Sequence, residues 1–223
     1  MDIIRTIERP SPELIRQFAD FDPATVYEAQ GQSGMVDPAI KPVWQGATVL
    51  GPALTVRGPP GDNLMLHKAV EVAQPGDIIV ADLGGYQGKG AWGEVLAAAA
   101  QARGVAGLVV DHAIRDVSAL RTLGFPGFAR GLSIGACSKR NPGLINHPII
   151  IGGQPVNPGD IVVGDDDGVA IVPREHAGTV LEAARARAKK EDEIMAALKS
   201  GRTTLDLLGL HAVISATGMT EEQ

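Results

Sequence analysis

The tract covering residues 76–111 constrains the fold more than any other part of the chain. Residues 76–82 (GDIIVAD) form a continuous apolar run behind a Pro-Gly turn, the pattern of a strand buried on both faces. Residues 94–103 (EVLAAAAQAR) have strong Ala and Leu helix propensity and stop at Gly104. Residues 105–111 (VAGLVVD) repeat the buried-strand pattern. Strand, helix, strand in this order makes a right-handed crossover with parallel strands. Ligands of such sheets gather beyond the carboxyl ends of the strands. The glycine-rich loop 83–93 and the segment 112–116 both fall there.

The flanking segments extend this α/β reading. Residues 12–19 and 23–29 read as short helices, with Ser11 and Asp22 as N-caps and Pro at each first helical position. Residues 46–57 read as a bent strand. A Pro-Gly-Asp-Asn turn then leads into a helix over 64–72. Residues 116–123 form a short helix and 125–130 a third strand. Residues 160–164 and 169–172 flank Asp165-Asp166-Asp167-Gly168 as a hairpin. Residues 174–199 make a long amphipathic helix, and the tail after Leu210 is expected to fray. With no linker, repeat or low-complexity tract, residues 1–223 read as one domain.

Composition removes several function classes. The net charge is −6 and no basic run stands out, which argues against a nucleic-acid partner. Cys137 is the only cysteine, so a disulfide within the chain is excluded and a cysteine-based zinc site is not expected. No stretch has the length of a membrane span or a signal-peptide core. A cytoplasmic protein with no membrane partner is expected. The abundance of glycine (28) and scarcity of aromatics (4%) imply a core of small aliphatics. Such cores often gain stability by oligomerising, so more than a monomer is expected.

The residues with most chemical promise are Gly93-Glu94-Val95-Leu96 and, one crossover later, Arg115-Asp116. Residues 94–96 start a helix, where amide hydrogens have no intrahelical partner and the dipole adds positive charge. A carboxylate is well held there. Arg115 follows the adjacent strand, and its planar fork suits a carboxylate or enolate oxygen. Asp116 is a hard oxygen ligand for Mg²⁺ or Mn²⁺. A plainer reading stands beside this one. Glu94 could simply complement the helix dipole, and Arg115-Asp116 could be a surface ion pair that caps the next helix.

Taken together, these residues within GEVLAAAAQARGVAGLVVDHAIRD resemble the signature of a known family. The match extends to residues 26–30 (VYEAQ), 60–80 (PGDNLMLHKAVEVAQPGDIIV) and 157–173 (NPGDIVVGDDDGVAIVP). The family is that of the 4-hydroxy-4-methyl-2-oxoglutarate / 4-carboxy-4-hydroxy-2-oxoadipate aldolases, also called RraA-like, and the likeness runs from about residue 22 to 210. The resemblance implies a layered α/β/α-type domain that forms homotrimers, often stacked as homohexamers. It also implies a class II pyruvate aldolase, a lyase that cleaves a 4-hydroxy-2-oxo diacid or triacid to pyruvate.

The same resemblance assigns roles residue by residue. The Asp matching Asp116 binds the divalent metal directly, and the Arg matching Arg115 contacts substrate and stabilises the enolate. The acid matching Glu94 bonds a water on the metal. Backbone at Val95 and Leu96, beside Gly93, holds the pyruvyl carboxylate. A Glu from a neighbouring subunit completes the site; Glu191 is the best match, Glu193 the second. Oxaloacetate decarboxylation passes through the same enolate and is expected too. The family also contains regulators that bind and inhibit an RNA-degrading endonuclease, and these tend to lack an acid at the position of Glu94. This chain departs from many relatives at His112, where they have Gly, and in the loop 83–90, which is expected to shape the pocket beyond the pyruvyl group.

Other features read as decoys. Residues 80–88 (VADLGGYQG) resemble the glycine-rich motif of methyltransferases that use S-adenosylmethionine, but the later segments lack the further sheet strands such a fold needs. The Asp165-Asp166-Asp167-Gly168 turn lacks a full calcium loop. His67 reads as a packing residue and His147 as a loop residue. Asp62 and Asn63 cap a helix near the strand ends and could support a site from behind. Nothing near Cys137 argues for a nucleophile.

Overall fold

The computed structural model describes residues 2–219. Two short helices open the chain: α1 (Pro12–Arg16) and α2 (Pro23–Ala29). The Ser11 hydroxyl accepts from the Leu14 N–H at 3.2 Å and the Asp22 carboxylate from the Thr25 N–H at 2.6 Å. Each cap satisfies an amide that the first turn leaves unpaired. The first helix is shorter than expected, because residues 17–20 tighten into a 3₁₀ turn.

The main sheet contains β1 (Lys41–Pro42), β2 (Val49–Arg57), β3 (Ile78–Asp82), β4 (Gly107–Ile114), β5 (Gly127–Leu132), β6 (Leu144–Ile145), β9 (Ile161–Asp165) and β10 (Gly168–Val172). The helices between its parallel strands are α3 (Leu64–Val72), α4 (Glu94–Ala102) and α5 (Val117–Leu123). Strand order is β1-β5-β4-β3-β2-β9-β10, with β6 pairing against β2. Strands β2 to β5 are parallel, and Arg57, Asp82 and Asp111 lie level across their carboxyl ends. The expected crossover unit is therefore present. A separate hairpin, β7 (Ile149–Ile151) with β8 (Gln154–Val156), packs beneath the sheet. The sheet curls until its edges approach: Met35 bridges to Ala170, and the Lys41 ammonium donates to the Asp167 carbonyl.

Strand alternation divides the core. Leu54, Val56, Ile79, Ala81, Leu108 and Val110 face α3, α4 and α5. Ala53, Ile78, Val80 and Val109 face inward, toward Val162, Ile171 and the β7–β8 hairpin. A third cluster lies between β9–β10 and the helices α1, α2 and α6 (Ala177–Lys199), centred on Phe18, Val26, Val172 and Leu181. Each fully buried aliphatic of this kind contributes roughly 1.5–3 kcal/mol. Helix α6 is the long C-terminal helix read from the sequence. It begins after a 3₁₀ turn over residues 174–176.

One expectation is revised here and another agrees with the structure. The chain does not fray after Leu210 at once: α7 (Thr204–Leu207) and α8 (Leu210–Ala216) follow α6, although neither buries a residue. The Asp165–Asp167 turn is fully engaged as a turn, with Asp165 accepting from the Asp167 N–H and Asp166 from the Gly46 N–H. Among the described residues no helix is long and apolar enough to cross a membrane.

Candidate active site

Beyond Asp82 the chain loops out and returns to run parallel to the end of β4. The Gly90 N–H donates to Gly135, the Ala91 N–H to Ala113 and the Arg115 N–H to Trp92, all between 2.8 and 2.9 Å. These bonds zip the glycine-rich loop onto the strand end. They deliver Gly93, the N-cap of α4, directly beside Arg115 and Asp116. No larger residue fits at Gly93, since a Cβ there would lie 2.3 Å from the Asp116 carboxylate.

The Arg115–Asp116 ion pair of the plainer reading is present, but the helix cap it expected is not. Asp116 occupies the N-cap place of α5 but makes no capping hydrogen bond with its side chain. Its backbone is left-handed, with φ +61°. This turns the carboxylate across to α4, where Oδ2 accepts the Glu94 N–H at 3.1 Å. The Arg115 Nε lies 3.5 Å from the same oxygen. Among the described residues, the amides of Val95 and Leu96 have no acceptor and the outer nitrogens of Arg115 have no partner. A guanidinium, a carboxylate and two free amides thus face one space.

That space is a cavity of about 220 Å³. Gly93, Val95, Leu96, Arg115 and Asp116 form one side of it, and Asn63, His67 and Lys139 another. Trp92 lines it as well, stacked on Phe125 with ring centres 5.7 Å apart. Its indole N–H and the Asn63 Oδ1 are buried without partners. Burial first, then the Lys139 ammonium, lowers the pKa of His67. Burial pushes the Cys137 thiol up, away from nucleophilic character.

The structure brings most of the sequence candidates together, but not all of them. The Glu94 side chain is exposed and does not line the cavity; its backbone amide is what touches the site. Glu191 sits on α6, 3.0 Å from Arg187 on its own helix, and is also outside the cavity lining. Glu193 is exposed on the same helix. Lys139 was not singled out by sequence reasoning, because a basic pair in a polar loop reads as solvated surface. His67 joins the lining rather than simply packing.

A hydrated Mg²⁺ or Mn²⁺ suits this donor set. Magnesium keeps several waters and is held through one or two carboxylates. Asp116 offers a carboxylate with about two-fifths of its side chain exposed and no protein partner on Oδ1. Among the described residues no cluster of three His, Cys, Asp or Glu side chains could form a full protein cage.

Behind the cavity lies His112, fully buried. Its Nε2 accepts the Gly61 N–H at 3.2 Å, so its proton sits on Nδ1, 2.9 Å from the Ala113 carbonyl. Tyr86 meets it edge-on. This histidine fixes the loop that leads into Asn63.

Comparison with known proteins identifies the family. A family model described as "RraA-like: Aldolase/RraA" matches residues 23–171. A Halalkalibacterium halodurans protein named "Putative 4-hydroxy-4-methyl-2-oxoglutarate aldolase" is 40% identical over 181 residues, covering 81% of this chain and 85% of that protein. The structure of Streptomyces coelicolor RraAS2, described as an unusual member of the RNase ES inhibitor RraA protein family, superposes with a TM-score of 0.76 at 30% identity, covering 84% of this chain and 99% of that one. The structure of an uncharacterized protein from Pseudomonas syringae pv. tomato gives a TM-score of 0.81 at 27% identity, covering 89% and 93%.

Proposed function

This chain belongs to the RraA-like family, and from that premise we propose that it is a divalent-metal-dependent lyase releasing pyruvate from a 4-hydroxy-2-oxo diacid or triacid. The observation that carries the reading is the Asp116 carboxylate, turned away from capping α5 and toward Glu94 beside the Arg115 guanidinium, whose outer nitrogens are unpartnered among the described residues. Asp116 would hold the ion, which when bound supplies Lewis-acid polarisation of the 2-oxo group.

The chain's own groups do the remaining work. The Val95 and Leu96 amides, at the positive end of α4, bind the carboxylate next to the ketone. Cleavage of the bond between C3 and C4 leaves an electron pair on C3, which delocalises onto the C2 oxygen. Arg115 provides fixed positive charge for that oxygen. Glu94, just outside the cavity lining, takes the C4 hydroxyl proton through a water, and the same route returns a proton to C3 to give pyruvate. Lys139, on the side formed with Asn63 and His67, pairs with the far carboxylate of the substrate. Oxaloacetate would lose CO₂ through the same enolate.

The proposal includes a homo-oligomer, trimer or hexamer, in which Glu191 of a neighbouring copy (or Glu193) closes the site. Exposed apolar side chains support this: Val95 is 80% exposed at the cavity, and Ile134 is 95% exposed beyond β5. The likeness to RraAS2 favours a second reading, a regulator that binds an RNA-degrading endonuclease. The acid at position 94 favours the lyase. A coupled pyruvate assay over a panel of hydroxy-oxo acids and oxaloacetate tests the choice. Pyruvate release with Mg²⁺ that stops in EDTA is expected. No pyruvate from any acid, together with capture of such a nuclease, contradicts the lyase.

A further inference from the structure

One buried carboxylate fastens the two loops that carry Asn63 and Lys139 into the cavity. Asp62 is 2% exposed. Its Oδ1 accepts the Leu64 N–H at 2.9 Å. Its Oδ2 accepts the Ser138 hydroxyl at 2.6 Å, the Arg140 N–H at 2.9 Å, and both the N–H and side-chain amide of Asn141 at 3.2 Å. Alongside, the Ser138 N–H donates to Gly61 and the Asn63 N–H to Ser138.

A helix cap needs only the first of these bonds. The remainder grip the residues on either side of Lys139. Burial alone would push the Asp62 carboxyl up, but the hydroxyl and amide donors outweigh it and hold the group well below the usual range. These donors favour the ionised form of Asp62. Its charge is met by uncharged donors, and among the described residues neither Asp62 nor Lys139 forms an ion pair. Lys139 is thus left unpaired at the cavity.

We infer that Asp62 is a positioning residue: it sets Lys139 at the cavity and thereby gives the site its preference for a substrate with a second carboxylate. The substrate class rests on the lyase reading above. A site built around such a contact discriminates strongly against a ligand lacking the contacting group.

The test compares 4-hydroxy-4-methyl-2-oxoglutarate with 4-hydroxy-2-oxopentanoate, which lacks the far carboxylate. Asp62→Asn, Lys139→Ala and their combination are each assayed with Mg²⁺. For the diacid, kcat/KM falls about tenfold or more in each single variant, mostly through KM, and for the monoacid by less than about threefold. The combined variant is no worse than Lys139→Ala alone. Equal losses on both substrates, or losses that add, overturn the inference. If Asp62→Asn does not fold, Ser138→Ala removes one bond and must raise KM for the diacid selectively; a change common to both acids, or none, overturns it.

A binding measurement separates this inference from the lyase reading. Calorimetry with 2-oxoglutarate and 2-oxobutyrate needs no turnover. A wild-type chain that cleaves nothing, yet prefers 2-oxoglutarate in a manner lost in both single variants, contradicts the lyase and upholds the role of Asp62. A wild-type chain with no such preference overturns that role, whether or not it cleaves.

Discussion

Asp116 holds φ +61° where an ordinary Asp would adopt extended backbone and cap α5. That conformation costs most residues roughly 1–2 kcal/mol, though Asp and Asn tolerate it best. Asp116→Asn should therefore keep stability within about 1 kcal/mol of wild type while turnover collapses, as thermal melts and pyruvate assays on one preparation would show. Gly93→Ala acts on the same contact from the other side. Its Cβ would collide with the Asp116 carboxylate. Displacement on this scale costs on the order of 100-fold in kcat/KM, with far-UV circular dichroism unchanged.

His112 adds a pH dependence. Burial, the largest influence, lowers its pKa, partly offset by the Ala113 carbonyl and Asp111. The folded state thus binds its proton less readily than the unfolded one. Its contribution is complete above the unfolded value of about 6.5 and is lost as pH falls from there toward the lower folded value. His67 shifts in the same direction, so the comparison must be with a His112→Asn variant. The wild-type melting temperature should drop more steeply between pH 7 and 5 than that of the variant. Parallel curves would remove His112 from the account.

At the scale of elements, the N-terminal segment pairs with Ile145 through its backbone and is further held by a buried bidentate pair. Arg9 donates to both oxygens of the fully buried Asp77, at 2.8 and 2.9 Å, just before β3. Arg9→Leu leaves that carboxylate buried with only the Gln74 N–H as partner, and should cost about 3 kcal/mol or more in urea unfolding. A loss under about 1 kcal/mol would mean the segment matters little.

The crossover from β3 through α4 to β4 was legible because each of its runs is long and of one period. Residues 144–156 were not. Their strands are two or three residues each, broken by Asn146 in left-handed backbone and by the Gly152-Gly153 turn. The site divides in the same way. Gly93 to Leu96, Arg115 and Asp116 sit at the ends of recognisable elements. Lys139 lies in an irregular loop whose position depends on Asp62, a tertiary contact that no local pattern encodes.

Over the whole molecule, several large apolar side chains lie exposed, one of them at the cavity. Leu132 is 61% exposed, and Val95 and Ile134 more so. Helices α7 and α8 bury nothing within the chain. A homo-oligomer would cover such surfaces. Sedimentation equilibrium should report more than a monomer, and Ile134→Glu should shift the population downward and reduce turnover with it. A monomeric wild type with full activity would remove the neighbouring Glu191 from the site.

The account depends above all on an ion held at the Asp116 carboxylate, next to Arg115 and the α4 amides. Electron paramagnetic resonance of Mn²⁺ reads this directly. Titration of the wild-type chain should show one bound Mn²⁺ per chain, with a spectrum that changes when pyruvate is added. Asp116→Asn should lose the bound signal, and Arg115→Ala should retain it but weaken the response to pyruvate. Equal Mn²⁺ binding by wild type and Asp116→Asn, with no response to pyruvate in either, would contradict the account.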